Sequence, residues 1–234
     1  MQYVKIKDAI VEQIDSGMLQ PRQKLPAERK LAESFDTTRV TLREALSLLE
    51  AEGKIYREDR RGWFISPAPL RYDPTQTLNF TGMALAQGRS PKTELIAAKA
   101  ILATKQASQL LSLAPFSDVY RVDRVRYLED RPVVYVTNYI RPELFANLLE
   151  FDLSLSLTDI YREHYGVVYQ KTRYRIGTTS LLGDIASALR ATTGSPAMVV
   201  ERTNYNQQGE LIDCDIEYWR HDAICIESMA ELSH

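Results

Sequence analysis

Apolar residues recur at three- and four-residue intervals through the first fifty positions. Ile6, Ile10, Val11 and Ile14 predict an amphipathic helix over residues 3–16, closed by Gly17. Pro21 and Pro26 bracket a turn, and Pro26 opens a second helix with Glu28 in its first turn and Leu31, Ala32 and Phe35 on its apolar face. Thr38 is placed to cap a third helix running to Glu52 and ended by Gly53, with Leu42, Ala45, Leu46 and Leu49 on one face. Two short β-type pieces follow, 54–57 and 63–66, joined by the turn E-D-R-R-G.

The pattern then changes. P-A-P-L-R-Y-D-P packs three prolines into eight residues, which reads as a stiff linker over 67–75, because proline continues neither a helix nor a ladder. Beyond it, period-two alternation predicts strands over 92–99, 118–128 and 132–140, the last two joined by a turn at Glu129–Asp130. M-V-V-E-R-T-N-Y-N and L-I-D-C-D-I-E-Y-W-R form a further hairpin around Gln208–Gly209, and 103–113 and 157–166 read as short helices. Strands with inserted helices predict an α+β chain: a helical first domain over 1–66 and an antiparallel-sheet domain over 76–234.

Composition adds little to class and something to location. The chain of 234 residues is long enough for two domains, and its 26% charged residues are ordinary. No apolar run suits a membrane and no export signal opens the chain. With only Cys214 and Cys225 present, free thiols in a reduced cytoplasm are expected. Three histidines and no C-x-x-C or H-E-x-x-H argue against a metal site, and no cofactor is expected. Net charge is −2, yet residues 1–66 hold 12 Lys/Arg against 11 Asp/Glu, so an affinity for nucleic acid must come from placement and not from bulk charge.

That placement is visible. A helix pair followed by a two-stranded wing sets one helix in a major groove, where side chains near its N-terminus read base edges. Arg39 and Arg43 sit there, four apart on one face. Arg29 reaches backbone or base from the preceding helix. The hydroxyls of Thr37, Thr38 and Thr41 suit phosphate oxygens, and Arg60 and Arg61 on the wing suit the minor groove or phosphates. The run G-x-L-x-P…K-L-P-A-E-R-K-L-A…F-x-T-T-R-V-T-L-R-E-A-L…L-E-A-E-G-K-I-Y-R…R-R-G-W-F-I resembles the GntR family of bacterial regulators across residues 3–66. The resemblance implies that Arg29, Arg39 and Arg43 contact bases and phosphates and that Gly62 is the wing glycine. Two positions depart from it: Ala27 stands where a capping serine is usual, and Arg60 where the wing has glycine.

In the second domain, Arg124 and Arg126 lie two apart on one strand and share a face, while Asp123 points the other way. Two convergent guanidinium groups suit phosphate, phosphonate or carboxylate. N-F-T-G-M…Q-G-R-S-P-K-T, R-V-R-Y-L-E-D-R-P-V, S-L-T-D-I-Y…Y-G and E-Y-W-R-H-D resemble the UTRA ligand-binding domain of the HutC subfamily, which implies a chorismate-lyase-like fold. The resemblance also implies that an effector's anionic end meets Asn79, Phe80, Thr81, Arg124, Arg126, Ser156 and Thr158, and its other end Asp213 and the stretch around Trp219. A carboxylate usual on the P-V-V-Y-V strand is Val136 here. D-R-R-G-W-F-I, R-Y-D-P-T-Q and D-I-E-Y-W-R-H-D resemble regulators of phosphonate use, notably of 2-aminoethylphosphonate, whose dianion and ammonium the arginines and Asp213 suit; a phosphorylated sugar or amino sugar suits the same residues. The expectation is a homodimeric regulator of a palindromic double-stranded operator, switched by a small anion. The rival is a lyase-like enzyme with a DNA-binding head, against which stands the lack of any nucleophile–base pair or paired carboxylates.

Overall fold

The computed structural model describes residues 1–76 and 78–232. Its elements in chain order begin with α1 (Gln2–Asp15), α2 (Glu28–Ser34), α3 (Arg39–Ala51), β1 (Ile55–Glu58), β2 (Gly62–Ile65) and β3 (Leu70–Tyr72). There follow α4 (Phe80–Ala86), β4 (Pro91–Leu102), α5 (Lys105–Leu111), β5 (Asp118–Leu128) and β6 (Arg131–Ile140). The chain continues through α6 (Leu157–Tyr165), β7 (Tyr169–Ser180), α7 (Gly183–Ala188), β8 (Pro196–Asn206), β9 (Leu211–Arg220) and β10 (Ile224–Ile226). They fall into two compact units. One is Met1–Tyr72 with Ser180–Pro196 and Arg220–Glu227; the other is Asp73–Thr179 with Ala197–Trp219 and the C-terminal segment from Ser228.

The first unit folds as its periodicity dictates. Ile6 and Ile10 of α1, Leu31 and Ala32 of α2, and Leu42, Ala45, Leu46 and Leu49 of α3 close one core with Trp63 and Ile65. The Thr38 side chain caps α3 by accepting from the Thr41 amide at 3.2 Å, a contact worth about 1 kcal/mol. Helix α2 begins at Ala27 with no side-chain cap, as alanine dictates. β1 and β2 pair antiparallel from Ile55↔Ile65 to Glu58↔Gly62. At the tip between them Gly62 takes φ +101°, and Arg60 takes φ +59°, a left-handed conformation that costs any side-chain-bearing residue something. The stretch expected as a linker carries β3, which pairs in parallel with β10 (Leu70↔Ile224 to Tyr72↔Ile226), and the first unit ends at Tyr72 on this side.

The second unit is built on a six-stranded sheet in the order β4-β5-β6-β9-β8-β7, with β4, β5, β6 and β9 antiparallel. The expected turns form: Glu129, Asp130 and Gly209 all take positive φ. Val122, Ile140, Phe145, Leu157 and Tyr161 pack one layer beneath α6, while Ala107, Leu111, Val119, Tyr139 and Ile216 pack another beneath α5. Besides β3, the elements α4 and β7 of this unit and α7 and β10 of the first lie outside the sequence expectation. α4 and α7 span only two turns, β10 only three residues, and edge strand β7 is exposed along most of its length and so lacks an alternating apolar face.

Candidate DNA-reading surface and effector site

In the first unit, α3 presents Arg39 and Arg43 to solvent, with side chains 60% and 59% exposed. Both lean on Glu28: Arg43 Nε donates to its Oε2 at 2.8 Å and Arg39 Nη2 lies 3.8 Å from the same atom. Glu28 also accepts from Trp63 Nε1 at 3.3 Å. Burial pushes this carboxyl up, but the Arg43 and Trp63 hydrogen bonds outweigh it and hold it below its usual range. Glu28, expected only as a first-turn acid of α2, thus organises both exposed arginines; the signal was an acid facing an i, i+4 arginine pair. Arg29 is exposed, 3.7 Å from Glu33. Thr38 and Thr41 share their hydroxyls at 3.1 Å, whereas the Thr37 hydroxyl is buried. On the wing Arg60 is 93% exposed and lies 3.7 Å from Asp59, and Arg61 pairs with Glu58 and stacks 5.6 Å from the Phe64 ring.

In the second unit, antiparallel pairing lays the expected effector residues on successive rungs. Arg126, Val134 and Trp219 make one rung, Arg124, Val136 and Glu217 the next, and Val122, Asn138 and Asp215 a third. Partners opposite one another point to the same face, so two arginines and a row of acids share one side of the sheet. Val136 lacks the carboxylate that the resemblance implies, but the same rung carries Glu217 one strand away.

Two helix starts meet this face. Asn79 caps α4 and Ser156 caps α6, and Asn79 Nδ2 donates to Ser156 Oγ and Asp159 Oδ2, both at 3.1 Å. Ser156 Oγ also lies 2.9 Å from the Thr158 hydroxyl. Phe80 holds Arg126 by a cation–π contact at 5.2 Å and lies 6.2 Å from Trp219. Arg124 is only 2% exposed; its Nη1 donates to the Leu155 carbonyl at 3.1 Å and its Nη2 to Asn138 Oδ1 at 2.8 Å. Burial and the neighbouring Arg126 bring its pKa down to about 9, so it stays protonated at neutral pH. Thr81 is exposed on the first turn of α4.

The acids are held as firmly. Glu217 accepts from Trp219 Nε1 at 2.7 Å and lies 3.1 Å from Arg202 Nη2 and 3.9 Å from Arg126. Asp215 pairs with Arg202 Nε at 2.7 Å. Asp213 is fully buried, and both its oxygens are engaged: Tyr161 and Tyr169 donate to Oδ2 at 3.0 and 2.6 Å, and Asn204 to Oδ1 at 2.8 Å. Burial, and then Asp215 beside it, raise its pKa from 3.8 to about 6. Sequence reading thus reached Arg124, Arg126, Asn79, Phe80, Ser156, Thr158 and Trp219, which the fold brings together. Asp213 lies two rungs from Arg124, inside a tyrosine–asparagine network. It missed Arg202, Asn138, Asn204 and Asp215. The alternation D-C-D-I-E was the available signal, though it reads equally as a solvated face. Two open clefts of this unit, about 80 Å³ beside Arg173 and Glu201 and about 430 Å³ beside Arg141 and Asp118, include none of the expected effector residues.

The chain resembles known proteins in two successive stretches, the second of which includes segment 180–196 of the first unit. Residues 2–65 match the family described as bacterial regulatory proteins, gntR family, and residues 86–224 match the UTRA domain. The chain is 33% identical over 221 residues to an uncharacterized HTH-type transcriptional regulator, YihL, of Escherichia coli K12, covering 93% of each. It is 29% identical to the HTH-type transcriptional repressor NagR of Bacillus subtilis, covering 94% of this chain and 90% of that one. The solved structure of PhnF from Mycobacterium smegmatis superposes with a TM-score of 0.68 at 24% identity, covering 97% of this chain and 100% of that one, a likeness of fold.

Proposed function

The chain belongs to the GntR family of bacterial regulatory proteins, with a UTRA domain behind its DNA-binding head, and from that premise we propose that a small molecule bearing a phosphonate or phosphate and an ammonium controls its hold on a palindromic operator. It is a DNA-binding transcription regulator rather than an enzyme, as its relatives are. The observation that carries the ligand reading is the rung pair of Arg124 and Arg126 beside the start of α6, with Glu217 on the same face. Guanidinium forks and helix-start amides suit a tetrahedral dianion. Glu217, one rung from Arg126, lies nearer the arginine pair than Asp213 and is the acid proposed for the ammonium, which would have to take the place of Trp219 or Arg202 as its partner. 2-Aminoethylphosphonate is the first candidate and a phosphorylated sugar or amino sugar the second; the superposing PhnF structure is compatible with the first.

Homodimerisation belongs to the same reading. One short helix and wing reads few base pairs, and two-fold pairing doubles the contacts and matches a palindrome. The ligand switches the dimer only if it binds one arrangement better than the other. A thermal-shift panel tests the ligand reading with 2-aminoethylphosphonate, inorganic phosphate, glucosamine-6-phosphate and urocanate. Stabilisation grows as the logarithm of ligand concentration over Kd, so a true effector separates from phosphate by a rise in Tm of several degrees. Stabilisation by urocanate alone sinks the reading; glucosamine-6-phosphate alone moves it to the second candidate.

A further inference from the structure

The sequence W-R-H-D closes β9, and neither the DNA-reading surface nor the effector site uses its Arg220, His221 or Asp222. All three belong to the first unit. Arg220 is 4% exposed. Its Nη2 donates to the Arg57 carbonyl at 2.6 Å and its Nη1 to the Leu189 carbonyl at 2.8 Å, and its guanidinium lies 5.4 Å from the centre of the Tyr56 ring. Tyr56 and Arg57 are residues of β1, the first strand of the wing. The next carbonyl along, that of Arg190, accepts from the Asp59 amide at 2.9 Å, so β1 is held on both sides of Glu58. His221 Nε2 meets the Glu50 carbonyl in the last turn of α3, and Asp222 accepts from Ser66 Oγ at 2.9 Å, just past β2. A buried guanidinium is costly unless its donors are met, and its rigid fork fixes two carbonyls at a set separation as a lysine cannot.

We propose that Arg220 is a positioning residue for DNA binding: it sets the pitch of the wing, so that Arg60 and Arg61 at the tip reach DNA together with Arg39 and Arg43 of α3. The inference rests on the wing being a DNA contact. Arg220 acts through Arg57 and Tyr56 of β1. It acts at the far end of β1, immediately before the Glu58–Gly62 turn, so a shift there passes directly to the tip. It also directly follows Trp219, so the strand that carries Glu217 and Trp219 ends in the residue that holds the wing.

The probe is a duplex selected by the wild-type chain from a random-sequence library. Fluorescence anisotropy and hydroxyl-radical footprinting are run on wild type, Arg220→Met, Arg220→Lys, R60A/R61A and the triple variant that adds Arg220→Met to R60A/R61A. Losing two charged hydrogen bonds through which the wing is held should weaken binding roughly tenfold. Arg220→Met should lose protection on the flanks and keep it at the centre, Arg220→Lys should recover part of it, and the triple variant should bind no worse than R60A/R61A. Additive losses, or loss of protection everywhere, overturn the proposal. So does wild-type binding by Arg220→Met when R60A/R61A is weak. If R60A/R61A itself binds like wild type, the wing reading falls and takes the proposal with it. Should Arg220→Met fail to fold, Asp222→Asn, which loosens the same brace at Ser66, enters the same cycle and is judged by the same outcomes.

Discussion

Helix α3 and strand β5 use arginine in opposite ways. On α3, Arg39 and Arg43 are more than half exposed and share one carboxylate, Glu28, at 3.8 and 2.8 Å. On β5, Arg124 is almost wholly buried, with fixed acceptors on two of its nitrogens. The difference is the one that the proposed targets, a duplex and a small anion, would ask for. A duplex is a long polyanion that brings its own field and releases counterions, so its readers pay little to wait in water. A small anion supplies few contacts, and discrimination against its analogues comes from buried polar groups that are left unpaired when the wrong ligand enters.

The comparison is most exposed to failure at α3. Replacing Arg39 and Arg43 together by alanine should cost about 2–6 kcal/mol in operator binding and lower the salt slope, while leaving Tm within a few degrees of wild type. Anisotropy titrations at several salt concentrations decide this; wild-type affinity would falsify the reading surface. Arg124→Met is next. It leaves Asn138 Oδ1 and the Leu155 carbonyl without a buried donor, at about 2 kcal/mol of stability, and should abolish any ligand-induced rise in Tm while binding of the ligand-free chain to DNA persists. A retained ligand response would move the anion site elsewhere.

Asp213 sharpens the contrast through pH. Its folded pKa of about 6 lies above the ordinary 3.8, so the native state holds a proton that the unfolded chain has released. Native stability from this group is therefore greatest below about pH 4 and is lost as pH rises through 6. Relative to Asp213→Asn, the wild type should lose on the order of 2 kcal/mol between pH 4 and pH 7.5, read from urea midpoints across that range. The hydrogen bonds altered by asparagine add an offset that does not vary with pH. A flat difference would mean that the network of Tyr161, Tyr169 and Asn204 fully offsets burial. The smallest expected effect is at Glu28. Glu28→Gln should change stability by only a few tenths of a kcal/mol, yet raise affinity for random duplex by freeing Arg39 and Arg43, narrowing the gap between specific and random DNA. An unchanged ratio would leave Glu28 with a packing role alone.

What the sequence made legible follows the same physics. α3 is readable because its apolar face, its Thr38 cap and its closing Gly53 all agree. β5 and β6 are readable because a turn at Glu129–Asp130 joins two alternating runs. β7 is not, because an edge strand open to water has no need of alternation. Asp213, Asp215 and Glu217 were legible as one face and misleading as to environment. Charges at every second position ordinarily face water, and here α4 and α6 stand over them. Asn79 and Ser156 were reachable only through family pattern, because what makes them a pair is a hydrogen bond between residues 77 positions apart. Arg220 left no local trace, since its acceptors are backbone carbonyls, which every residue has.

The pairing of β3 with β10 also governs how the molecule is made. Leu70 finds its strand partner at Ile224, so the parallel ribbon cannot close while a ribosome is still adding the sheet domain. The helical core of α1, α2 and α3 with Trp63 and Ile65 draws on residues of the first 65 positions and can condense early. The far end of β1 waits for Arg220, and β3 for residues 224–226. A nascent chain thus carries a reading helix well before it carries a braced wing, and a chain broken off before residue 220 never acquires one.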